Sequence, residues 1–247
     1  MVIFILGLLM ASFLDPLATR VEQEERNNTQ FQLDEIEEIL YGYVLQNNHL
    51  PCPDCPTSTW NANCIAVNTA DPDDISDGVE DFVAAGGGST CATETGNLPW
   101  VTLGVKGSDE WDNNFTYRVD SSFADRSDAT TDGTPYSAGP PIVQPNCENL
   151  SATLDVSFSL CSDGDITVND AAVAGNTVAT FIPVIVVSHG KNWAFAASAD
   201  EAENTDGDAI FVDKDYSQTA GAEFDDLMIW ISPYILRTMT VKAGILP

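Results

Sequence analysis

The amino-acid sequence predicts an α+β protein in which one long N-terminal helix packs on an antiparallel β-sheet with long, disulfide-linked loops. Three observations support this fold class. Residues 1–47 have helical periodicity, short β-branched segments recur after residue 100, and all six cysteines lie beyond residue 50 in loop-forming sequence. We therefore predict two parts, an N-terminal helix over 1–50 and a globular head over 51–247.

The N-terminal helix is predicted to change character along its length. Residues 1–14 read MVIFILGLLMASFL, which contains no charge, and a strongly charged stretch follows. Within that stretch, apolar residues recur every three or four positions and define one helix face. They are Phe31, Ile36, Ile39, Leu40, Tyr43 and Val44. The turn-forming Asn47 and Asn48, followed by Pro51, predict the end of a helix of about 70 Å.

Two residues are predicted to interrupt this helix. Pro16 has no amide hydrogen and should bend the helix or break its hydrogen bonding. Gly7 weakens the first turns because glycine has a low helix propensity.

The side chains of the apolar run over 1–14 must be buried, and a single soluble molecule offers no surface to bury them. Fourteen residues are too few for a bilayer span of about twenty, and the basic region and cleavage site of a signal peptide are not seen. We expect further apolar residues to precede Met1. Neighbouring copies or lipid would then surround a predicted polymerisation core. Its residues are Val2, Ile3, Phe4, Ile5, Leu6, Leu8, Leu9, Met10 and Phe13. A simple single-pass anchor is the alternative.

The head is predicted to contain short strands separated by polar loops. Candidate strands share β-branched or alternating apolar residues. They cover 100–105, 114–119, 152–160, 179–189, 209–212 and 226–232. Within the fourth candidate, 184–187 is apolar throughout, which is typical of a central strand buried on both faces.

An even number of cysteines in loop-rich sequence favours disulfides formed in an oxidising compartment. The candidates are Cys52, Cys55, Cys64, Cys91, Cys147 and Cys161. Zinc is the competing interpretation, because Cys52 and Cys55 have CxxC spacing, but no second CxxC follows. Six cysteines allow fifteen pairings, and we prefer only one, Cys147 with Cys161.

The charge of the chain excludes one class of partner. Nine Lys and Arg residues face 38 Asp and Glu, which gives a formal net charge of −29. Such a surface repels phosphate backbones, so we expect no nucleic-acid binding.

Calcium is the only cofactor that the sequence suggests, and none is required. Asp206 and Asp208 flank a glycine, and Asp213 follows, so carboxylate oxygens could converge on a hard cation. Asp163 with Asp165 and the acidic run 71–81 are rival sites, and a solvated acidic turn is the alternative to any metal.

No catalytic constellation stands out, and we expect that the protein is not an enzyme. Ser188 and His189 are adjacent in sequence, and such neighbours cannot usually point at one another as a nucleophile and its base do. His189 is interpreted as a turn residue at a strand end.

Several segments, in order along the chain, resemble type IV pilins and type II secretion pseudopilins. They are the apolar N-terminal run, LPCP at 50–53, the segment DEWDNNFTY with Asp109, Trp111, Asn113 and Tyr117, and FDDLMIWIS at 224–232. The chain departs from the family in its acidity, in long insertions at 54–95 and 121–150, and in lacking the near-terminal glutamate that helps register subunits.

The resemblance implies a structural subunit of a helical, pilus-like filament, hence a homo-oligomer. Such a subunit lies in the inner membrane before assembly, is handled by a pilus or type II secretion assembly machinery, and then forms an extracellular filament at the bacterial cell surface. Pseudopilins hold calcium in a C-terminal loop, which favours the site near Asp206. The alternative is a minor or tip subunit that acts as a membrane-anchored, calcium-dependent adhesion or secretion module.

Overall fold

A computed structural model describes residues 2–70, 74–85, 88–124, 157–158, 160, 162–193 and 198–246. Side chains within 2–18 and at 69, 84, 85 and 88 are outside this description. The described helices are α1 (Val2–Asn47), α2 (Ala62–Ala70), α3 (Trp100–Leu103), α4 (Ser121–Ala124), α5 (Ala199–Glu203) and α6 (Pro233–Lys242). The described strands are β1 (Phe82–Ala85), β2 (Gly88–Cys91), β3 (Thr95–Asn97), β4 (Thr116–Val119), β5 (Ile166–Asn169), β6 (Thr177–Ile182), β7 (Val184–Ser188), β8 (Ile210–Val212) and β9 (Leu227–Ile231).

The strands form three sheets, so the chain is a mixed α+β protein. An antiparallel sheet has the order β3-β4-β7-β9, and β1 pairs with β2 in an antiparallel hairpin. A third sheet has the order β6-β5-β8, in which the β5–β8 pair is parallel. The predicted N-terminal helix and antiparallel sheet are confirmed, and the parallel pair is an addition to them.

Strand β7 is the centre of the four-stranded sheet, as its apolar sequence predicted. Every residue of β7 is buried, because β4 and β9 flank it and a hydrophobic core lies against each face. Val184 and Val186 belong to the core that contains the α1 residues, whereas Ile185 and Val187 pack with residues of the β6-β5-β8 sheet. The strand therefore lies between the core that contains the α1 residues and the core that contains residues of the β6-β5-β8 sheet.

Helix α1 packs on the head through one stripe of residues. Leu33, Ile36, Leu40 and Val44 are at most 1% exposed and belong to the larger core. Their three- and four-residue spacing keeps them on one face. Phe31 was predicted to share this face but is 70% exposed. At 100° per residue, position 31 points about 180° away from the centre of the buried stripe.

The C-terminal end of α1 is as predicted, and the helix is unbroken along its length. The helix ends at Asn47, and Asn48 takes a left-handed conformation (φ 65°) while its amide donates to the Val44 carbonyl. Helix α1 is continuous through Gly7 and Pro16, so neither residue ends it, and a bend at Pro16 stays a prediction. Proline removes one hydrogen bond of a 46-residue helix, and the neighbouring turns keep theirs.

Two of the predicted strands need correction. The segment 100–105 contains the short helix α3 instead, which follows Pro99 and ends at Gly104 in the left-handed conformation (φ 72°). Short apolar runs fit a buried helix as well as a strand. Most of 152–160 lies outside the described residues, and the described Ser157, Phe158 and Leu160 belong to no strand.

Candidate functional site

The structure gives only the backbone positions of the predicted polymerisation residues. All nine, from Val2 to Phe13, lie in α1, and their side chains are outside the described part. Among the described residues, no helix combines the length and the hydropathy that a membrane span requires.

From Glu22 to Val44, α1 is joined to the head by polar as well as apolar contacts. The Tyr216 hydroxyl donates to the Glu22 carboxylate at 2.9 Å, and the Arg26 guanidinium lies 4.2 Å from the centre of the Tyr216 ring. Arg26 also donates to the backbone oxygen of Asp225 at 3.0 Å. The loop before β9 is therefore held against the middle of α1.

Four of the six cysteines form two disulfides in the loop region that follows α1. Cys52 is bonded to Cys91 and Cys55 to Cys64. The prediction of disulfides rather than zinc is confirmed for these four. Cys147 and Cys161, the preferred pair, lie outside the described residues.

Only part of the predicted calcium set comes together. Asp206 and Asp208 lie with Glu203 in a group whose carboxylate oxygens are within 4.8 Å of one another. Both aspartates are exposed, and each accepts a backbone N–H two residues ahead, as solvated turn residues do. Asp213 is in neither of the carboxylate groups found among the described residues.

A second carboxylate group is buried, and sequence reasoning missed it. Glu201 and Asp226 are 2% and 4% exposed, and with the half-buried Asp225 they offer oxygens within 4.8 Å of one another. Glu201 belongs to α5, whereas Asp225 and Asp226 directly precede β9. The adjacent Asp225 and Asp226 were visible in the sequence, but no local pattern linked them to Glu201.

The antiparallel β7–β9 pair brings His189 to the same place. Ser188 is paired with Leu227, so the residue after β7 lies beside the residue before β9. His189 Nδ1 is 3.9 Å from Asp226 Oδ2, and His189 Nε2 is 2.8 Å from the Thr116 hydroxyl oxygen. We name His189, Glu201, Asp225 and Asp226 the β7–β9 cluster.

Two asparagines hold the carboxylates of the β7–β9 cluster in place. Asn192 Nδ2 is 3.2 Å from both oxygens of Glu201, and Asn204 Nδ2 donates to Asp226 Oδ2 at 2.6 Å. Burial, with the charges of Glu201 and Asp226, raises the pKa of Asp225 to about 6. Ionising Asp225 beside these two carboxylates is therefore costly unless a cation joins them.

Ser188 and His189 do not contact each other as a catalytic pair. The Ser188 hydroxyl donates to Asp109 Oδ2 at 2.7 Å, and His189 contacts Thr116 and faces Asp226. Asp109 is fully buried and also accepts the amides of Trp111 and Asn113, so it shapes the loop before β4.

A pair of buried aspartates lies beside the disulfides. Asp54 accepts the amides of Ser76 and Gly78, and Asp81 accepts the amide of Cys55 at 2.7 Å. Burial raises the pKa of Asp54 to about 6 and that of Asp81 to about 7, and their mutual repulsion adds to the shift of Asp81.

We expect the head to lose stability as the pH rises from 5 to 8. A carboxyl group whose pKa is raised binds its proton more tightly in the folded state, so its contribution is complete below pH 4. It is lost as the pH rises through 6 for Asp54 and Asp225 and through 7 for Asp81. Calorimetry in the presence of a chelator should show a melting temperature lower at pH 8 by at least about 3 °C.

The matched variant is Asp81→Asn, whose side-chain oxygen can still accept the Cys55 amide. It should flatten the pH profile between 6 and 8. An unchanged profile in this variant would show that general charge repulsion, rather than Asp81, sets the dependence. Measuring at high salt, which screens exposed charges, separates the two contributions.

Comparison with known proteins finds no matching family model, no matching curated protein and no matching solved structure.

Proposed function

We propose that this chain is the structural subunit of a pilus-like filament and polymerises through the apolar N-terminal part of α1. The observation that carries the proposal is that the apolar run and the stripe packed on the head belong to one continuous helix. A helix of 46 residues is about 69 Å long, whereas a head of about 200 residues has a diameter of about 40 Å. One head cannot cover that length.

The composition of α1 suggests that the two parts of the helix pack against different partners. Its second half presents a single buried stripe, and its other faces are mostly polar apart from the exposed Phe31, which suits packing on one head. Its first fourteen residues are apolar on all sides in sequence, which suits burial among several copies. Each square ångström of apolar surface removed from water there contributes roughly 25 cal/mol.

The proposed partners follow from this arrangement. Copies of the chain form the filament, the inner membrane shelters the apolar segment before assembly, and a pilus or type II secretion machinery transfers subunits to an extracellular filament at the cell surface. The net charge of −29 makes neighbouring heads repel. Filaments should therefore be more stable at physiological salt than at low ionic strength.

Substitution of Leu8 or Leu9 by Asp is expected to abolish filaments. A carboxylate in the apolar core would have to be desolvated without a partner, which costs far more than one subunit contact provides. The measurement is negative-stain microscopy and quantification of sheared surface material from a bacterial host that has a type IV assembly machinery.

Val173→Asp is the matched control, because Val173 is 78% exposed on the head and the variant adds the same charge. Both variants should keep the melting temperature of the head. Normal filament yield with Leu8→Asp would overturn the proposal. A chain present only in trace amounts in the sheared material would identify a minor or tip subunit.

A further inference from the structure

We infer that the β7–β9 cluster is a binding site for one divalent transition-metal ion, for which Zn²⁺ is the probe. The inference does not depend on the proposed filament function. The cluster offers an orphaned imidazole nitrogen, three neighbouring carboxylates and the hydrogen bonds that support them.

The imidazole of His189 supplies the observation that points to a ligand. His189 is 6% exposed, and within the described part of the chain its Nδ1 has no hydrogen-bond partner. A buried polar atom without a partner is costly, and native proteins rarely leave one. Nδ1 faces Asp226 Oδ2 at 3.9 Å, which is too long for a hydrogen bond. An ion between the two atoms would give Nδ1 the partner that it lacks.

The other ring nitrogen is already placed as in metal-binding histidines. Such residues usually donate their second N–H to a nearby oxygen, which fixes the tautomer and the ring orientation. The Thr116 hydroxyl oxygen lies 2.8 Å from His189 Nε2. With the proton on Nε2, Nδ1 carries the lone pair and faces Asp226 Oδ2.

Backbone and amide groups hold the carboxylates in place, and one oxygen of Asp225 is left for an ion. Asp225 Oδ2 accepts the amide of Lys191 at 3.0 Å, whereas the buried Asp225 Oδ1 has no hydrogen-bond partner among the described residues. Asn204 and Asn192 orient Asp226 and Glu201. Arg26, the cation on the adjoining face of α1, donates to the backbone oxygen of Asp225.

Glycine at position 190 allows this close approach. A Cβ there would lie 2.6 Å from the Asp225 carboxyl carbon, and the backbone is left-handed at φ 61°. A larger residue would require the Asp225 carboxylate to move.

The mixed donor set favours a transition metal over calcium. Calcium prefers six to eight oxygen ligands, whereas imidazole nitrogen with carboxylate oxygen suits Zn²⁺ and related ions. Ligand atoms around tetrahedral zinc are about 3.3 Å apart, given bonds of about 2.0–2.2 Å. The 3.9 Å between Nδ1 and Oδ2 needs to shorten by only about 0.6 Å.

A bound ion would tie together elements that are distant in sequence. His189 follows β7, and Glu201 lies on α5. Asp225 and Asp226 precede β9, and the backbone oxygen of Asp225 accepts a hydrogen bond from Arg26 of α1. The ion would remove the repulsion among three carboxylates and stabilise the folded state by mass action.

The test uses the full chain in detergent, stripped of metals with a chelator and alkylated so that no free thiol binds zinc. Calorimetric titration with Zn²⁺ and with Ca²⁺, together with elemental analysis, should give one Zn²⁺ per chain and a raised melting temperature. His189→Gln and Asp226→Asn should each weaken Zn²⁺ binding at least tenfold. Since Gln provides no nitrogen at the Nδ1 position, His189→Gln should spare any Ca²⁺ binding.

The matched control is the double variant Asp206→Asn/Asp208→Asn in the exposed acidic group, which should bind Zn²⁺ as the parent does. Stoichiometric Zn²⁺ binding unchanged by both His189→Gln and Asp226→Asn would overturn the inference. So would the absence of Zn²⁺ binding, binding of Ca²⁺ alone, or loss of Zn²⁺ in the control. Melting curves without metal establish that each variant is folded.

Discussion

Replacing Cys52 and Cys91 together by alanine is expected to destabilise the head by about 4 kcal/mol. The bond closes a loop with a sequence separation of 39, and releasing it returns that loop's conformational entropy to the unfolded chain. Cys55 and Cys64 are separated by only 9 residues, so the matched double alanine variant should lose about 2.5 kcal/mol. Alanine leaves no buried hydroxyl in either variant.

Loss of the Cys52–Cys91 bond should also weaken contacts outside the loop that the bond closes. Cys52 and Leu50 belong to the core that contains the buried stripe of α1, and the Tyr117 hydroxyl donates to the Pro51 carbonyl at 2.9 Å. The bond therefore links the exit of α1 to β2 and, through Tyr117, to β4. The other disulfide lies in a smaller cluster with Val67 and Ala92.

Urea unfolding of the parent and the two double variants measures both effects, with midpoints converted through the slope of each transition. The parent treated with a reductant loses both bonds and should be less stable than either double variant. A larger loss for the Cys55–Cys64 pair, or a loss below 1 kcal/mol for Cys52–Cys91, would contradict the loop-length argument.

Periodicity along one segment was enough to predict much of α1 and β7. The end of α1 followed from Asn47, Asn48 and Pro51, and Ile36, Leu40 and Val44 were recognised as one buried face. Phe31 was misplaced because apolar character was given more weight than its angular position on the helix.

The β7–β9 cluster could not be predicted because its members meet only through strand pairing. Asp226 lies beside His189 because Ser188 pairs with Leu227. Glu201 belongs to α5, a short helix that lies between the two strands in sequence. Local spacing instead favoured a metal site at Asp206, Asp208 and Asp213. These residues are close in sequence, but Asp213 does not join the other two carboxylates in space. Disulfide pairing depends on the same kind of long-range contact.

Replacing Leu40 by alanine is expected to cost 2–5 kcal/mol of unfolding free energy, as large-to-small substitutions in packed cores do. Leu40 is fully buried between α1 and the sheet, where the lost methyl groups would leave a cavity. Phe31→Ala on the same helix removes a larger side chain that is 70% exposed, and it should change stability by less than about 0.5 kcal/mol. Urea unfolding of the two variants compares them directly.

The contrast between these two variants tests whether the head is built on α1 or only tethered to it. If α1 were a tether, the head would fold without the stripe, and Leu40→Ala would be as mild as Phe31→Ala. If α1 completes the core, the two should differ by at least about 2 kcal/mol, since only Leu40 exchanges core contacts for a void. A filament that transmits force through α1 to its heads requires the second outcome, because a tethered head would swing freely about the polymer core.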